Sequence, residues 1–305
     1  MDKTPSTPNS VKFRAGFALL VTLSVLSVII ALTMVLLSYF EEVQQDSGET
    51  KALIQADIYY TNITKIFQGF KNKKEIFPVL YSMALPLNSP DDRFSLLLKC
   101  DPLHKGINVN WLGWGRDKEA LQNAAQELFE FLADTYEIED VGRLQEMLLE
   151  EIGGEYQFVQ KEQSRLHQKN GIISYQQFEE VLKRYQFEVD DPNIGRIPWR
   201  DYLSFSLKAE KIDAQYSSPE LIAYLFGMHE EVAQEWVPSA GLAYLEDFVT
   251  QNGGDYDARK SILAGDTFLD ATECLVSYAL EGQQYGFRFE YIQGESKHFE
   301  FYGKY

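Results

Sequence analysis

The sequence predicts an α+β fold: a long N-terminal helix, half of it transmembrane, packs on an antiparallel sheet, and a large all-helical domain is inserted in the sheet region. Three observations lead to this prediction. The stretch from Phe17 to Phe40 contains no charged residue. Residues 112–265 carry apolar side chains at helical spacing. Strand-like alternation occurs on both sides of that block, most clearly in residues 274–303.

The apolar run from Phe17 to Phe40 is predicted to be a retained membrane helix. It has about 24 residues, and about 20 suffice to cross a bilayer. A cleavable secretory signal has a shorter apolar core and a small-residue cut site, which this run lacks. Lys3, Lys12 and Arg14 precede the run, so the positive-inside rule places residues 1–16 in the cytoplasm. The bulk of the chain is then outside the cytoplasm, which in a bacterium is the periplasm.

The helix is predicted to continue beyond the membrane. Residues 43–70 contain no proline. Their apolar side chains at Tyr59, Ile63, Ile66 and Phe70 follow helical spacing. One face of this second half is therefore expected to pack on the rest of the protein.

Short strands are predicted at residues 77–81 and 94–98, with a turn between them. Residues 274–303 are predicted to form a meander, with a turn at 294–296. Helices are predicted between these strand regions, and Ser218 is expected to cap one that ends at Gly227. The apolar positions that predict the other helices are Leu121, Leu128, Phe131, Leu132, Leu144, Met147, Leu148, Leu149, Phe178, Val181, Leu182 and Tyr185.

Composition limits the classes of partner. The 305 residues are 45% hydrophobic, which is enough for one large or two modest packed domains besides the apolar run. The formal net charge is -18. Because nucleic-acid binding depends on Lys and Arg displacing counterions from phosphates, this balance predicts no nucleic-acid partner.

The N-terminal pattern resembles the class III signal of type IV pilins and pseudopilins. A polar leader ends in Gly16, and the aromatic Phe17 heads one long half-apolar helix. The resemblance implies that a membrane aspartyl peptidase cuts between Gly16 and Phe17 and methylates the new N-terminus. Most members of that superfamily carry glutamate at the fifth mature position, whereas this chain has Val21.

Val21 and two further motifs make the chain similar to the protein K family of minor pseudopilins in type II secretion systems. Residues 105–112 (KGINVNWL) resemble the stretch that opens the helical domain of that family, and residues 211–221 (KIDAQYSSPEL) resemble a later one in part, with Asp213 and Gln215 in place of asparagines. The resemblance implies the domain boundaries. They are 1–16 leader, 17–40 transmembrane helix, 41–111 pilin-like helix and first strands, 112–265 helical domain related to SAM or helix-hairpin-helix folds, and 266–305 final strands.

Calcium is the one candidate cofactor, because the protein K family binds it and the ion needs several hard oxygen ligands. The densest acidic loop contains Asp255 and Asp257, with Asp266 and Asp270 nearby in sequence. The alternative is a solvated acidic loop. The helix pair at 219–237 resembles a helix-hairpin-helix, but its glutamates would repel phosphate, so a structural role is expected.

Cys100 and Cys274 lie at the entry and just past the exit of the helical block. Ends of an inserted domain tend to lie close together, so a disulfide is expected in an oxidising compartment; the alternative is a pair of buried thiols. No zinc spacing, phosphate loop or nucleophile motif occurs in the sequence, and we expect the protein not to be an enzyme.

The expected function is that of a non-enzymatic minor pseudopilin at the tip of a pseudopilus, in a type II secretion system or a related apparatus. The resemblance implies four kinds of partner: other minor pseudopilins, the major pseudopilin, the prepilin peptidase and the inner-membrane secretion machinery. The alternative is an uncleaved single-pass periplasmic scaffold or sensor, which would keep its leader.

Overall fold

A computed structural model describes residues 10–88, 95–153, 171–238 and 244–304. The described chain contains both helices and strands. The helices in these ranges are α1 (Ser10–Gly69), α2 (Lys73–Ser82), α3 (Glu119–Tyr136), α4 (Val141–Ile152), α5 (Tyr175–Val189), α6 (Trp199–Tyr202), α7 (Pro219–Phe226), α8 (Glu230–Ala233) and α9 (Leu245–Gln251). The strands are β1 (Leu85–Asn88), β2 (Ser95–Pro102), β3 (Ile107–Asn108), β4 (Leu203–Ser204), β5 (Ala271–Leu280), β6 (Gln283–Ile292) and β7 (Glu295–Lys304).

Helix α1 is unbroken over 60 residues, about 90 Å at 1.5 Å per residue. Its second half packs on the sheet, and the predicted continuation beyond the apolar run is confirmed. The predicted buried face is wrong at Ile66, which is 52% exposed, whereas Phe67 is 1% exposed. Tyr59, Ile63 and Phe67 are four residues apart and share one face, and position 66 lies at the edge of that face, about 60° around the helix from Ile63.

The main sheet is antiparallel with strand order β1-β2-β5-β6-β7. Alternate side chains of β2, β5 and β6 point toward α1 and α2 and form an aromatic core with them. The other face of the sheet is more polar, and there Arg288 pairs with Glu273 and Glu300. One face of the sheet is therefore buried against the helices and the other faces solvent, as antiparallel sheets permit.

Two tight turns set the register of the C-terminal meander. Glu281-Gly282 joins β5 to β6, and Gln293-Gly294 joins β6 to β7, with all four residues at positive φ. The meander is confirmed, but the predicted turn at 294–296 is wrong by one residue. Glu295 and Ser296 already pair with Ile292 and Tyr291.

The predicted strand at residues 77–81 is wrong, because these residues lie in α2. Phe77, Leu80 and Tyr81 are spaced three and four residues apart, so a helix buries all three against the sheet. Pro78 lies inside this helix. A short apolar run fits a strand and a helix equally well, and here the packing against the sheet selects the helix. The predicted strand at 94–98 is observed as Ser95–Pro102, and Phe94 is outside the described residues.

Helices α3 to α9 lie between β2 and β5 in sequence and form a hydrophobic cluster separate from the sheet core. The positions predicted from helical spacing are buried or pack on this cluster, except Phe131, which is 38% exposed. The Phe131 ring lies 4.6 Å from the ring of Tyr224. Helix α7 begins and ends as predicted, with Ser218 accepting a hydrogen bond from the Leu221 amide and Gly227 at positive φ.

Candidate functional site

The first candidate functional element is the apolar part of α1. Leu19–Phe40 has a mean hydropathy of 2.7 and is long and apolar enough to cross a membrane. The hydroxyl groups of Thr22, Ser27 and Thr33 donate to carbonyl oxygens about one turn earlier in the helix, as Ser27 does to Leu23 at 2.9 Å. These three hydroxyls are thus satisfied within the helix, which suits a lipid environment.

The predicted processing site lies at the start of this element. Gly16 and Phe17 belong to α1, but their side chains lie outside the described residues. Val21 lies one turn further along, and its side chain is 42% exposed. Val21 thus presents an apolar group within the apolar helix.

Helix α1 also exposes apolar side chains after the membrane segment, on faces that do not pack on the sheet. They are Val43, Leu53, Ile54, Ile58 and Ile66, each between 43 and 58% exposed. We call these residues the outer face of α1. Val43, Ile54 and Ile58 lie within about 60° of one another around the helix, opposite the face that packs on the sheet, so they offer apolar surface on its outer side.

Helices α3 to α9 with their connections, here called the helical region, lie at the end of the sheet far from the apolar segment Leu19–Phe40. The lower end of the sheet contacts α1 near Lys51, which pairs with Glu281. The upper end lies near Phe67, whose ring contacts Tyr291 at 5.3 Å. The helical region connects to this upper end through Pro102 and Ala271. Phe67 is about 40 Å along the helix from Phe40.

The first motif, residues 105–112, builds the entry to the helical region. A Cβ at Gly106 would lie 2.5 Å from the carbonyl carbon of Leu203, so only glycine allows β3 and β4 to approach. The buried Asn108 amide donates to the Ser206 carbonyl at 2.6 Å, and its oxygen accepts the Asn110 amide at 3.1 Å. Asn110 exchanges two 2.8 Å hydrogen bonds with the backbone of Ile172. These asparagines are structural crosslinks.

The second motif, residues 211–221, ties the exit of the helical region to its entry. Ile212 is fully buried and donates its amide to Ile262 at 2.9 Å. The Asp213 amide donates to the His104 carbonyl at 2.8 Å, and the Ser217 hydroxyl donates to the Lys105 carbonyl. The motif therefore closes the helical region where the chain enters and leaves it.

Cys100 and Cys274 occupy opposite register positions on β2 and β5. Their Cα atoms are 4.0 Å apart and their sulfur atoms form a disulfide. Both residues are fully buried in the sheet core. The bond closes a loop that contains the whole helical region, with a sequence separation of 174.

The residues proposed for calcium do not converge. Asp255 accepts a hydrogen bond from the Ala258 amide at 3.0 Å, and Asp257 pairs with Lys260 at 3.3 Å. Asp270 pairs with Lys73 at 2.9 Å. Within the described ranges no three His, Cys, Asp or Glu residues form a group that could hold a metal ion. Asp255 and Asp257 make local backbone and charge contacts, and calcium binding at these residues stays a prediction.

A cleft between α2 and the helical region was not predicted from the sequence. It consists of two adjoining cavities of about 590 and 470 Å³, which share Asp213, Gln215, Tyr244, Gly265 and Asp266. We call it the junction cleft. Burial raises the pKa of Asp213 to about 7. The feature of the sequence that could have pointed to this cleft is Asp213. It is an acidic residue at a position where the protein K family, which the chain resembles, has asparagine.

The chain matches no family model, and no curated protein matches it.

Proposed function

We propose that the protein is a non-enzymatic minor pseudopilin, similar to the protein K family, at the tip of a pseudopilus in a type II secretion system or a related apparatus. The observation that carries the proposal is the single helix Ser10–Gly69. It combines a membrane-length apolar half with a half that packs on an antiparallel sheet. In this proposal the peptidase cuts after Gly16, and Phe17 becomes the methylated N-terminus.

The outer face of α1 supports assembly with other subunits. In the proposed pseudopilus, the apolar half leaves the bilayer and packs among the helices of neighbouring pseudopilins. The exposed isoleucines at 54, 58 and 66 extend that contact beyond the membrane segment. A helix with a covered face and an apolar outer face is suited to lateral packing.

Val21 and the helical region support the position at the tip. A buried glutamate needs a charged partner, which a subunit above would supply through its N-terminal amine. A tip subunit has no such neighbour, and an apolar valine has no need for one. The helical region, inserted between β2 and β5 at the membrane-distal end, would limit stacking of further subunits above it.

A deletion and complementation experiment tests the function. Removing the chain from its native cell should reduce the proteins that the secretion apparatus exports to the medium. The wild-type chain should restore export, and a Gly16→Glu variant, which the peptidase cannot cut, should not. Export that is unchanged by the deletion, or restored equally by Gly16→Glu, would overturn the proposal in favour of an uncleaved membrane-anchored scaffold or sensor.

A further inference from the structure

The junction cleft contains a carboxylate without a partner. Asp213 lines both cavities, and within the described part of the chain its carboxylate has neither a hydrogen-bond donor nor an ion-pair partner. Two of the lysines near it are engaged elsewhere: Lys260 pairs with Asp257 at 3.3 Å, and Lys211 donates to the Ser261 carbonyl at 2.6 Å. Lys74 lines the larger cavity but forms no ion pair with Asp213. A carboxylate in a partly dry site is unfavourable unless a cation meets it.

Asp191 shows how the same protein satisfies a buried aspartate. Asp191 is fully buried, and its two oxygens accept hydrogen bonds from the Asn193 amide at 2.9 Å, the Glu139 amide at 3.1 Å and the Tyr185 hydroxyl at 3.3 Å. Both aspartates immediately precede a short 3₁₀ turn. The lack of donors at Asp213 is therefore not forced by its local backbone.

Tyr81 gives a second, independent sign of a missing ligand. Its side chain is 7% exposed and lines the larger cavity. The Thr272 side chain lies beside its hydroxyl, but the Thr272 hydroxyl is donated to the Asp101 carbonyl at 2.9 Å, and no group in the described ranges meets the Tyr81 hydroxyl with hydrogen-bond geometry. A buried hydroxyl normally has a partner, so this one favours an occupant that brings a polar group to the cleft.

The walls of the cleft define the chemistry of that occupant. Tyr81, Tyr216, Tyr244 and Phe268 supply aromatic surface, and Asp213 and Asp266 supply negative charge. No metal-binding group of three or more His, Cys, Asp or Glu lies in the described residues, which disfavours a bare ion here. Aromatic rings beside carboxylates suit an organic cation, and a planar guanidinium suits them best, because it stacks on rings and forms paired hydrogen bonds.

We propose that the junction cleft binds an arginine side chain presented by a partner polypeptide, with Asp213 as the counter-ion and Tyr81 as a second polar contact. The two cavities have the size of ordinary ligand sites. Gly265 leaves the shared part of the cleft open, since a Cβ there would meet nothing within 4 Å. The site is at the membrane-distal end of the sheet and is independent of processing at Gly16.

Peptide binding to the full-length chain in detergent micelles tests the proposal. The probe is acetyl-Gly-Arg-Gly-amide, and the control peptide has citrulline, a neutral isostere, in place of arginine. Saturation-transfer NMR at pH 8 should show saturable binding of the arginine peptide below about 10 mM. The citrulline peptide should bind at least about tenfold more weakly.

Two matched variants locate the site. Asp213→Asn should weaken binding of the arginine peptide at least about tenfold, whereas Asp134→Asn, which removes the same charge from the exposed surface of α3, should leave it unchanged. Tyr81→Phe should weaken it about threefold. Circular dichroism checks that each variant is folded. No saturable binding by the wild type, equal binding of the citrulline peptide, or equal binding by Asp213→Asn would overturn the proposal.

Discussion

The sheet layer and the helical region are stabilised in different ways. The sheet layer has a dry aromatic core, two tight hairpins and a disulfide between β2 and β5. The helical region has a larger apolar cluster, but its ends are held by buried polar groups such as Asn108 and Asn110. Regular patterns therefore build the sheet layer, whereas individual hydrogen bonds between distant residues close the helical region.

This difference can be measured because each region has its own probe. The chain has four tryptophans, all in the helical region, at positions 111, 114, 199 and 236. Tryptophan fluorescence therefore reports unfolding of the helical region, and hydrogen exchange of residues 271–304 reports the sheet. Both can be followed in urea with the full-length chain in micelles.

The largest effect is expected from removing the disulfide. Replacing both Cys100 and Cys274 with alanine opens a loop with a sequence separation of 174 and should lower the free energy of unfolding by about 4 kcal/mol. Hydrogen exchange of residues 271–304 should accelerate most. An unchanged exchange rate there would show that the bond adds nothing to the sheet.

The next largest effect is expected at Asn108. Asn108→Ala leaves the buried Asn110 backbone amide without its acceptor. It also removes one of the two donors to the Ser206 and Ala209 carbonyls, which keep the Asn110 side chain and the Trp111 indole, and it should cost about 3 kcal/mol. The midpoint of the tryptophan transition should fall. If exchange of the sheet residues rises equally, the two regions unfold as one unit and the proposed difference between them is wrong.

Asp213 should reduce stability in a pH-dependent way. Its pKa is raised by burial to about 7, so the folded protein binds a proton more tightly than the unfolded chain. The loss in the free energy of unfolding that a charged Asp213 causes is absent below about pH 4. It grows as the pH rises toward 7 and is constant above pH 7. A shift of about three pKa units corresponds to about 4 kcal/mol, and solvent contact of the partly exposed Asp213 side chain reduces this by about half. Asp213→Asn should therefore stabilise the protein by about 2 kcal/mol at pH 8 and by almost nothing at pH 4. Urea titrations at both pH values check this, and an equal effect at both would contradict it.

The smallest effect is expected in the second hairpin of the sheet. Gln293 has a positive φ of 53° ahead of Gly294, a position that asparagine adopts more readily. Gln293→Asn should stabilise the sheet by about 0.5 kcal/mol and leave the tryptophan transition unchanged. Slower hydrogen exchange in residues 283–304 would support this, and faster exchange would contradict the assigned turn.

The elements that could be predicted from the sequence are those in which one spacing repeats over many residues. Helix α1 and the meander were predictable because many residues repeat one spacing. The strand assigned to residues 77–81 failed because five apolar residues fit either structure, and only packing against β2 selects the helix. The turn at Gln293-Gly294 was placed one residue late because several small polar residues adjoin there.

The junction cleft could not be predicted from the sequence. It needs Tyr81 of α2, Asp213 and Phe268 to meet, and these residues are separated by long stretches of chain. Asp213 could be singled out in advance only as a departure from a motif. Its missing donors become visible when the surrounding elements are in place.

The central claim, that the chain is a processed pseudopilin, is tested most directly by the mass and N-terminal sequence of the protein from its native cell. The account predicts a chain that begins at methylated Phe17, and a Gly16→Glu variant that keeps its leader. A wild-type protein that retains residues 1–16 would contradict the account and leave a single-pass membrane-anchored protein.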